Sequence, residues 1–118
     1  MTALPGVDPK VPPSGTGCVE CLAARPPGWW FHLRRCAQCG HVGCCDSSPS
    51  QHARAHYRRT GHRYARSFEH GEDWYWNFET EEYYDGPQLA PPDHHPQDQA
   101  VPGPAGLVPD DWRHRIRG

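Results

Sequence analysis

The chain has 118 residues, with 14 prolines, 12 glycines, a hydrophobic fraction of 36% and a formal net charge of −2. That composition excludes a single large hydrophobic core, and no stretch approaches the roughly 20 apolar residues of a membrane-spanning helix. The opening MTALPGVDPK lacks the basic start and apolar middle of a secretory signal, so the chain reads as cytoplasmic, where six cysteines point to metal or redox chemistry rather than disulfides.

Four prolines fall within the first 13 residues and seven between Pro87 and Pro109. Residues 1–17 therefore read as a disordered N-terminal tail, and residues 85–118 as a Pro-rich, acidic C-terminal tail. Between them lies one domain, residues 18–84. A unit this small usually needs a staple to be stable alone. All six cysteines and five of the nine histidines (His32, His41, His52, His56, His62) lie within residues 18–62, which makes metal the expected staple.

In chain order, the domain opens with a first knuckle, Cys18-x-x-Cys21. An aromatic strand over Trp29–Leu33 follows, then a second knuckle, Cys36-x-x-Cys39, and the pair Cys44-Cys45. Ser48 is a candidate helix N-cap, with Pro49 in the first turn and Gln51 completing a capping box. The helix should run to about Arg59 and stop at Thr60-Gly61. His52 and His56, four residues apart, then share one face, and His62 can turn back toward them just past the stop. Ala53, Ala55 and Tyr57 are available for packing, while Arg54, Arg58 and Arg59 should face solvent. Strands are expected at His62–Phe68 and Trp74–Phe78, separated by turn residues Glu69–Asp73. The result is an α+β fold, a small antiparallel sheet with one main helix. Trp29, Phe31, Leu33, Val42, Tyr64 and Phe68 would form a modest core contributing about 1.5–3 kcal/mol each. A structural zinc contributes an apparent ~10–16 kcal/mol in small zinc peptides, so metal would decide whether the domain folds.

Cys18, Cys21, Cys36, Cys39, Cys44, Cys45, His52, His56 and His62 are nine candidates for the eight positions of two tetrahedral zinc ions. Spacing alone would group Cys18, Cys21, Cys36 and Cys39 in one ribbon-like site and leave Cys44 with the histidines.

The order CVEC, aromatic strand, CAQCGHVGC and HARAHYRRTGH over about residues 18–76 resembles the UBP-type zinc finger, a ubiquitin-binding module found in ubiquitin-specific proteases and some deacetylases. It is most similar to compact stand-alone bacterial versions, which share the Cys-Cys-Asp-Ser-Ser-Pro run and Gly-Glu-Asp-Trp. The resemblance implies an interleaved pairing: Cys18, Cys21, Cys44 and His52 on one zinc, Cys36, Cys39, His56 and His62 on the other. Val-Gly-Cys favours Cys44 as the ligand, whereas counting back from His52 favours Cys45. A further zinc site of larger members uses a cysteine where this chain has Tyr75, which implies that site's absence. The family's pocket for a protein's C-terminal tail has aromatic walls, for which Trp74 and Trp76 are counterparts. Its tail-binding arginine is replaced here by Asp46.

These features imply a zinc-binding, non-catalytic module that is monomeric and takes a protein or peptide tail. Two other classes compete with it. From Cys18 to Arg66 eight arginines face only Glu20 and Asp46, a balance of +6, while Ser67–Asp111 holds eleven acids and no Lys or Arg. The acidic half can simply neutralise the basic one, or the arginines can bind nucleic acid through the helix face. Alternatively, the spare Cys45 can serve as a zinc-linked redox thiol. A zinc hydrolase is disfavoured because Ala53 stands where such a helix carries its glutamate base. The C-terminal WRHRIRG resembles the basic, glycine-ended tail the family recognises, which raises self-association through that tail.

Overall fold

The computed structural model describes residues 4–117. A five-residue helix, α1 (Val19–Ala23), grows directly out of the first knuckle, with the Cys18 sulfur accepting the Cys21 N–H at 3.4 Å. Strands β1 (Leu33–Cys36) and β2 (Val42–Cys44) flank the second knuckle. There Gly40 takes φ +83° against the Pro12 carbonyl, a conformation a side chain would resist. Then come α2 (His52–Thr60), β3 (Tyr64–Ser67), β4 (Tyr75–Asn77) and β5 (Glu82–Tyr84).

The five strands form one antiparallel sheet in the order β2-β1-β3-β4-β5. Cys36 pairs with Ala65, and Ala65 with Trp76. Strand alternation places these residues and Arg34 on one face. That face bears α2, whose Ala53 and Tyr57 pack with Ala65, Trp76 and Phe78. Arg35, opposite Arg66, and Tyr75 lie on the other face. A second core, around Cys18, Cys21, Trp30, Leu33, Val42, Cys44 and Phe68, surrounds the first knuckle.

Several local expectations are corrected. The aromatic strand begins at Leu33 rather than Trp29. Trp30 fills the core while Trp29 and Phe31 are half-buried, a one-residue change of phase. Ser48 is not the cap of α2. It is fully buried, and its hydroxyl accepts the Phe31 N–H at 2.8 Å. The cap position belongs to Gln51, in the left-handed region at φ 53° with no side-chain cap bond, and its amide instead donates to the Asp46 carbonyl. The other end matches expectation, with Gly61 at φ 78° closing on the Tyr57 carbonyl. Ala55 is exposed rather than packed.

The segments expected as tails differ from that expectation in having specific partners. Leu4 and Leu89 are buried beside Tyr64 and Tyr75. The Tyr75 hydroxyl donates to the Pro87 carbonyl at 2.6 Å. Arg35, wholly buried, donates to the Val11 carbonyl at 2.7 Å and the Pro92 carbonyl at 3.1 Å, so one guanidinium holds both segments to the sheet. Trp30 exchanges two backbone hydrogen bonds with Gly103. Prolines remove donors but leave carbonyls free, and the sheet's own side chains use those carbonyls.

Candidate functional site: two Cys/His clusters and an aromatic pocket

The knuckles and α2 bring eight side chains together in two groups. Cys18, Cys21, Cys44 and His52 form one, and Cys36, Cys39, His56 and His62 the other. Within each group every candidate ligand atom lies within 4.8 Å of the rest. This is the interleaved pairing, and it corrects the ribbon-like grouping that spacing alone suggests. In the first group His52 Nδ1 stands 3.2, 3.3 and 3.5 Å from the sulfurs of Cys18, Cys21 and Cys44. The Cys21 and Cys44 sulfurs are 3.9 Å apart. In the second, Cys39 Sγ lies 3.3 Å from His56 Nε2, and Cys36 Sγ 3.6 Å from His62 Nδ1. Zinc bonds of about 2.0–2.3 Å at tetrahedral angles give ligand separations of roughly 3.3–3.8 Å, so both donor sets fit zinc. Each group can hold one ion.

The local electrostatics call for a cation. Hydrogen bonds from Cys21 and Cys44 pull the Cys18 thiol down to about 2. The bond to Cys18 is the leading cause pushing Cys21 up, and Cys44 up to about 12. A bound zinc ion would favour the thiolate form of all three sulfurs. In the second group burial raises Cys36 to about 11. Burial, with His41, His62 and Arg59 nearby, lowers His56 to about 4, which keeps its imidazole neutral and able to ligate.

Cys45 falls outside both clusters. It is 4% exposed, with its sulfur 3.4 Å from the Ser48 hydroxyl. Sequence reasoning passed over His41. Its ring stacks on His56 at 4.0 Å, and Nε2 lies 2.8 Å from the Glu20 carboxylate. Glu20 sits inside the first knuckle, so this chain of contacts links the two clusters. Its position between Cys18 and Cys21 was the available signal.

A cavity of about 200 Å³ opens on the α2 side of the sheet, walled by Trp74, Trp76, Phe78 and Tyr83, with Arg34 and Asp46 also lining it. Trp74 and Trp76, singled out from sequence, therefore share one pocket. Asp46 takes two hydrogen bonds from Arg54, at 3.0 and 2.6 Å. Arg54 consequently does not point freely to solvent as expected. Its guanidinium also lies over Phe78, 5.3 Å from the ring centroid.

The arginines do not make one basic face. Arg35 and Arg66 are buried, Arg54 and Arg63 are paired with Asp46 and Glu79, and Arg58 and Arg59 are exposed on α2. The segment carrying WRHRIRG lies along the domain, with Trp112 5.4 Å from Phe31 and the Arg117 N–H on the Ser47 carbonyl. Gly118 is outside the described residues. Among the described residues no helix is long and apolar enough to cross a membrane.

Residues 18–89 match the model of the family described as "Zn-finger in ubiquitin-hydrolases and other protein". Among solved structures, the chain is similar to the solution NMR structure of protein RPA1320 from Rhodopseudomonas palustris. The identity is 38% and the TM-score 0.63, with 86% of this chain and 97% of that one covered. No curated protein matches.

Proposed function

The chain belongs to the family of zinc fingers in ubiquitin-hydrolases and other proteins, and from that premise we propose that it is a non-catalytic interaction module. Cys18, Cys21, Cys44 and His52 hold one structural zinc ion, and Cys36, Cys39, His56 and His62 hold the other. The pocket of Trp74 and Trp76 receives a segment of a partner protein. The observation that carries this reading is the separation of roles in space. Eight donors are used up in two four-membered clusters, and an open aromatic cavity of about 200 Å³ lies beside them.

A zinc ion with four protein ligands has no open position for a reacting water. Ala53 follows His52 where a hydrolytic helix would offer a carboxylate. Both points support a structural role for the metal. Aromatic walls supply rigid apolar contact area at low entropic cost, which suits recognition of an extended peptide. Six free thiols suit a cytoplasmic location.

The test is a peptide-array selection with the zinc-loaded chain and its Trp74→Ala variant. Peptides retained by the parent and lost by the variant, at equal zinc content, support the reading. Retention indifferent to Trp74 sinks it.

A further inference from the structure

We propose that Arg35, Arg66 and the Tyr75 hydroxyl form a binding site for a phosphate-type oxyanion, and that residues 87–93 are a strap whose carbonyl oxygens fill this site until the anion displaces them. The three side chains lie in one row across the sheet face turned away from α2. Arg35 of β1 stands opposite Arg66 of β3, and Arg66 opposite Tyr75 of β4. They are 0%, 5% and 0% exposed. Like charges facing each other on adjacent strands repel, and buried charges normally carry an opposite charge with them. Here neither arginine has a carboxylate within 4.0 Å among the described residues. The acid carried by the strap, Asp93, accepts from Gln88 on its carboxylate at 2.7 Å and offers Arg66 its backbone carbonyl at 3.2 Å. Burial, and after it the Arg66 charge, lowers the affinity of Arg35 for its proton.

What the row does hold is oxygen without charge. Arg35 donates to the Val11 and Pro92 carbonyls, Arg66 to the Asp93 carbonyl, and the Tyr75 hydroxyl to the Pro87 carbonyl. Three of these four oxygens belong to the strap, PQLAPPD. Its prolines lack donors, and among the described residues no backbone N–H between 87 and 93 bonds elsewhere in the chain. The strap is thus fastened by its carbonyls and by Leu89, which is buried beside Tyr75. Donors are left over in the row. Arg35 Nε is buried with no partner, and Arg66 uses one of its five N–H groups. A phosphate dianion supplies several acceptor oxygens together with the negative charge the row lacks. Hydrogen bonds between ionised partners are about twice as strong as those to neutral acceptors. Anion and strap compete for the same three donors, so each weakens the hold of the other.

The experiment follows the arginine Nε–H signals of the full, zinc-loaded, ¹⁵N-labelled chain at constant ionic strength. Inorganic phosphate and ethyl phosphate are the probes, and chloride is the control. The Arg35 and Arg66 signals should shift saturably with phosphate and stay in place with chloride, while the exposed Arg58 of α2 stays in place throughout. Limited proteolysis within residues 86–93 should quicken as the site fills. Leu89→Ala loosens the strap without touching the arginines, so it should tighten phosphate binding several-fold, because more of the chain is then competent to bind. Arg66→Gln should abolish the Arg35 response at unchanged zinc content. A response to both probes assigns the phosphoryl group, and a response to inorganic phosphate alone assigns the free ion; either supports the proposal. Arg35 and Arg66 signals that ignore phosphate, or that move equally with chloride or together with Arg58, would overturn the site. Saturable shifts with unchanged cleavage, and a Leu89→Ala variant that binds phosphate like the parent, would overturn the competition with the strap.

Discussion

Gly43 of β2 lies so close to Ala53 of α2 that a Cβ added to the glycine would come 2.8 Å from the Ala53 nitrogen and 3.0 Å from its Cα. This approach is what seats the start of the helix on the sheet. Its consequence is visible one residue away on each element, where the Cys44 sulfur accepts the His52 N–H at 3.2 Å. Gly43→Ala must push α2 away from β2, and overpacking of this kind costs about 1–3 kcal/mol. The melting temperature of the zinc-loaded variant should therefore fall. An unchanged melting temperature would show that the contact does not position the helix.

Adjacent cysteines should behave differently. Cys44 belongs to the first cluster, whereas Cys45 faces the Ser48 hydroxyl. Cys44→Ser should lower bound zinc by one ion per chain or prevent folding, and Cys45→Ser should leave metal content unaltered. The reverse pattern in metal analysis would reassign the ligand.

Acid should release the metal. The folded protein lowers His56 from 6.5 to about 4, chiefly by burial. A depressed value means that the unfolded chain binds the proton more readily. The associated stability is therefore present above about pH 6.5 and lost as pH falls toward 4. Ligand thiolates act in the same direction, since zinc binding requires them deprotonated. Zinc release followed with a metal-sensitive dye should rise as pH drops through this window, together with loss of near-UV signal. Retention of both ions and of the fold at pH 4 would contradict the assignment.

The metal clusters were legible in the sequence because thiolate and imidazole ligands at knuckle and helical spacings leave few alternatives. The pairing was not, since spacing alone favoured joining the two knuckles. Only the crossing of β1, β2 and α2 decides it. The end of α2 was readable from Gly61, a local requirement for positive φ. Its start was not, because Ser48 serves the distant Phe31 N–H instead of the helix. The strands β2 and β5 escape notice because each adjoins residues with a stronger local signal, the cysteines at Cys44-Cys45 and the acidic turn before Glu82, whereas the equally short β4 lies in the aromatic run WYWNF. The flanking segments read as tails because composition reports only how little they can bury. Their partners, Tyr75 and the buried Arg35, lie far away in sequence.

Arg35 gives a test of those flanks. Its Nη atoms hold the Val11 and Pro92 carbonyls, its Nε has no hydrogen-bond partner, and burial lowers its affinity for the proton. Replacing a buried charge with an apolar side chain of similar volume can be close to neutral in stability. Arg35→Met should therefore keep the zinc clusters and the sheet while loosening the two segments. Limited proteolysis should cut within residues 5–16 and 86–103 faster than in the parent, at unchanged metal content. Equal cleavage rates would show that Arg35 does not fasten them.

The central claim is that two zinc ions, each tying α2 to other parts of the fold, stand in for a large core. The most direct measurement is metal analysis of the purified full chain, paired with circular dichroism before and after chelation. The account predicts two zinc ions per chain and cooperative unfolding when both are removed. One ion or none in a folded protein, or a fold that survives complete chelation, would contradict it.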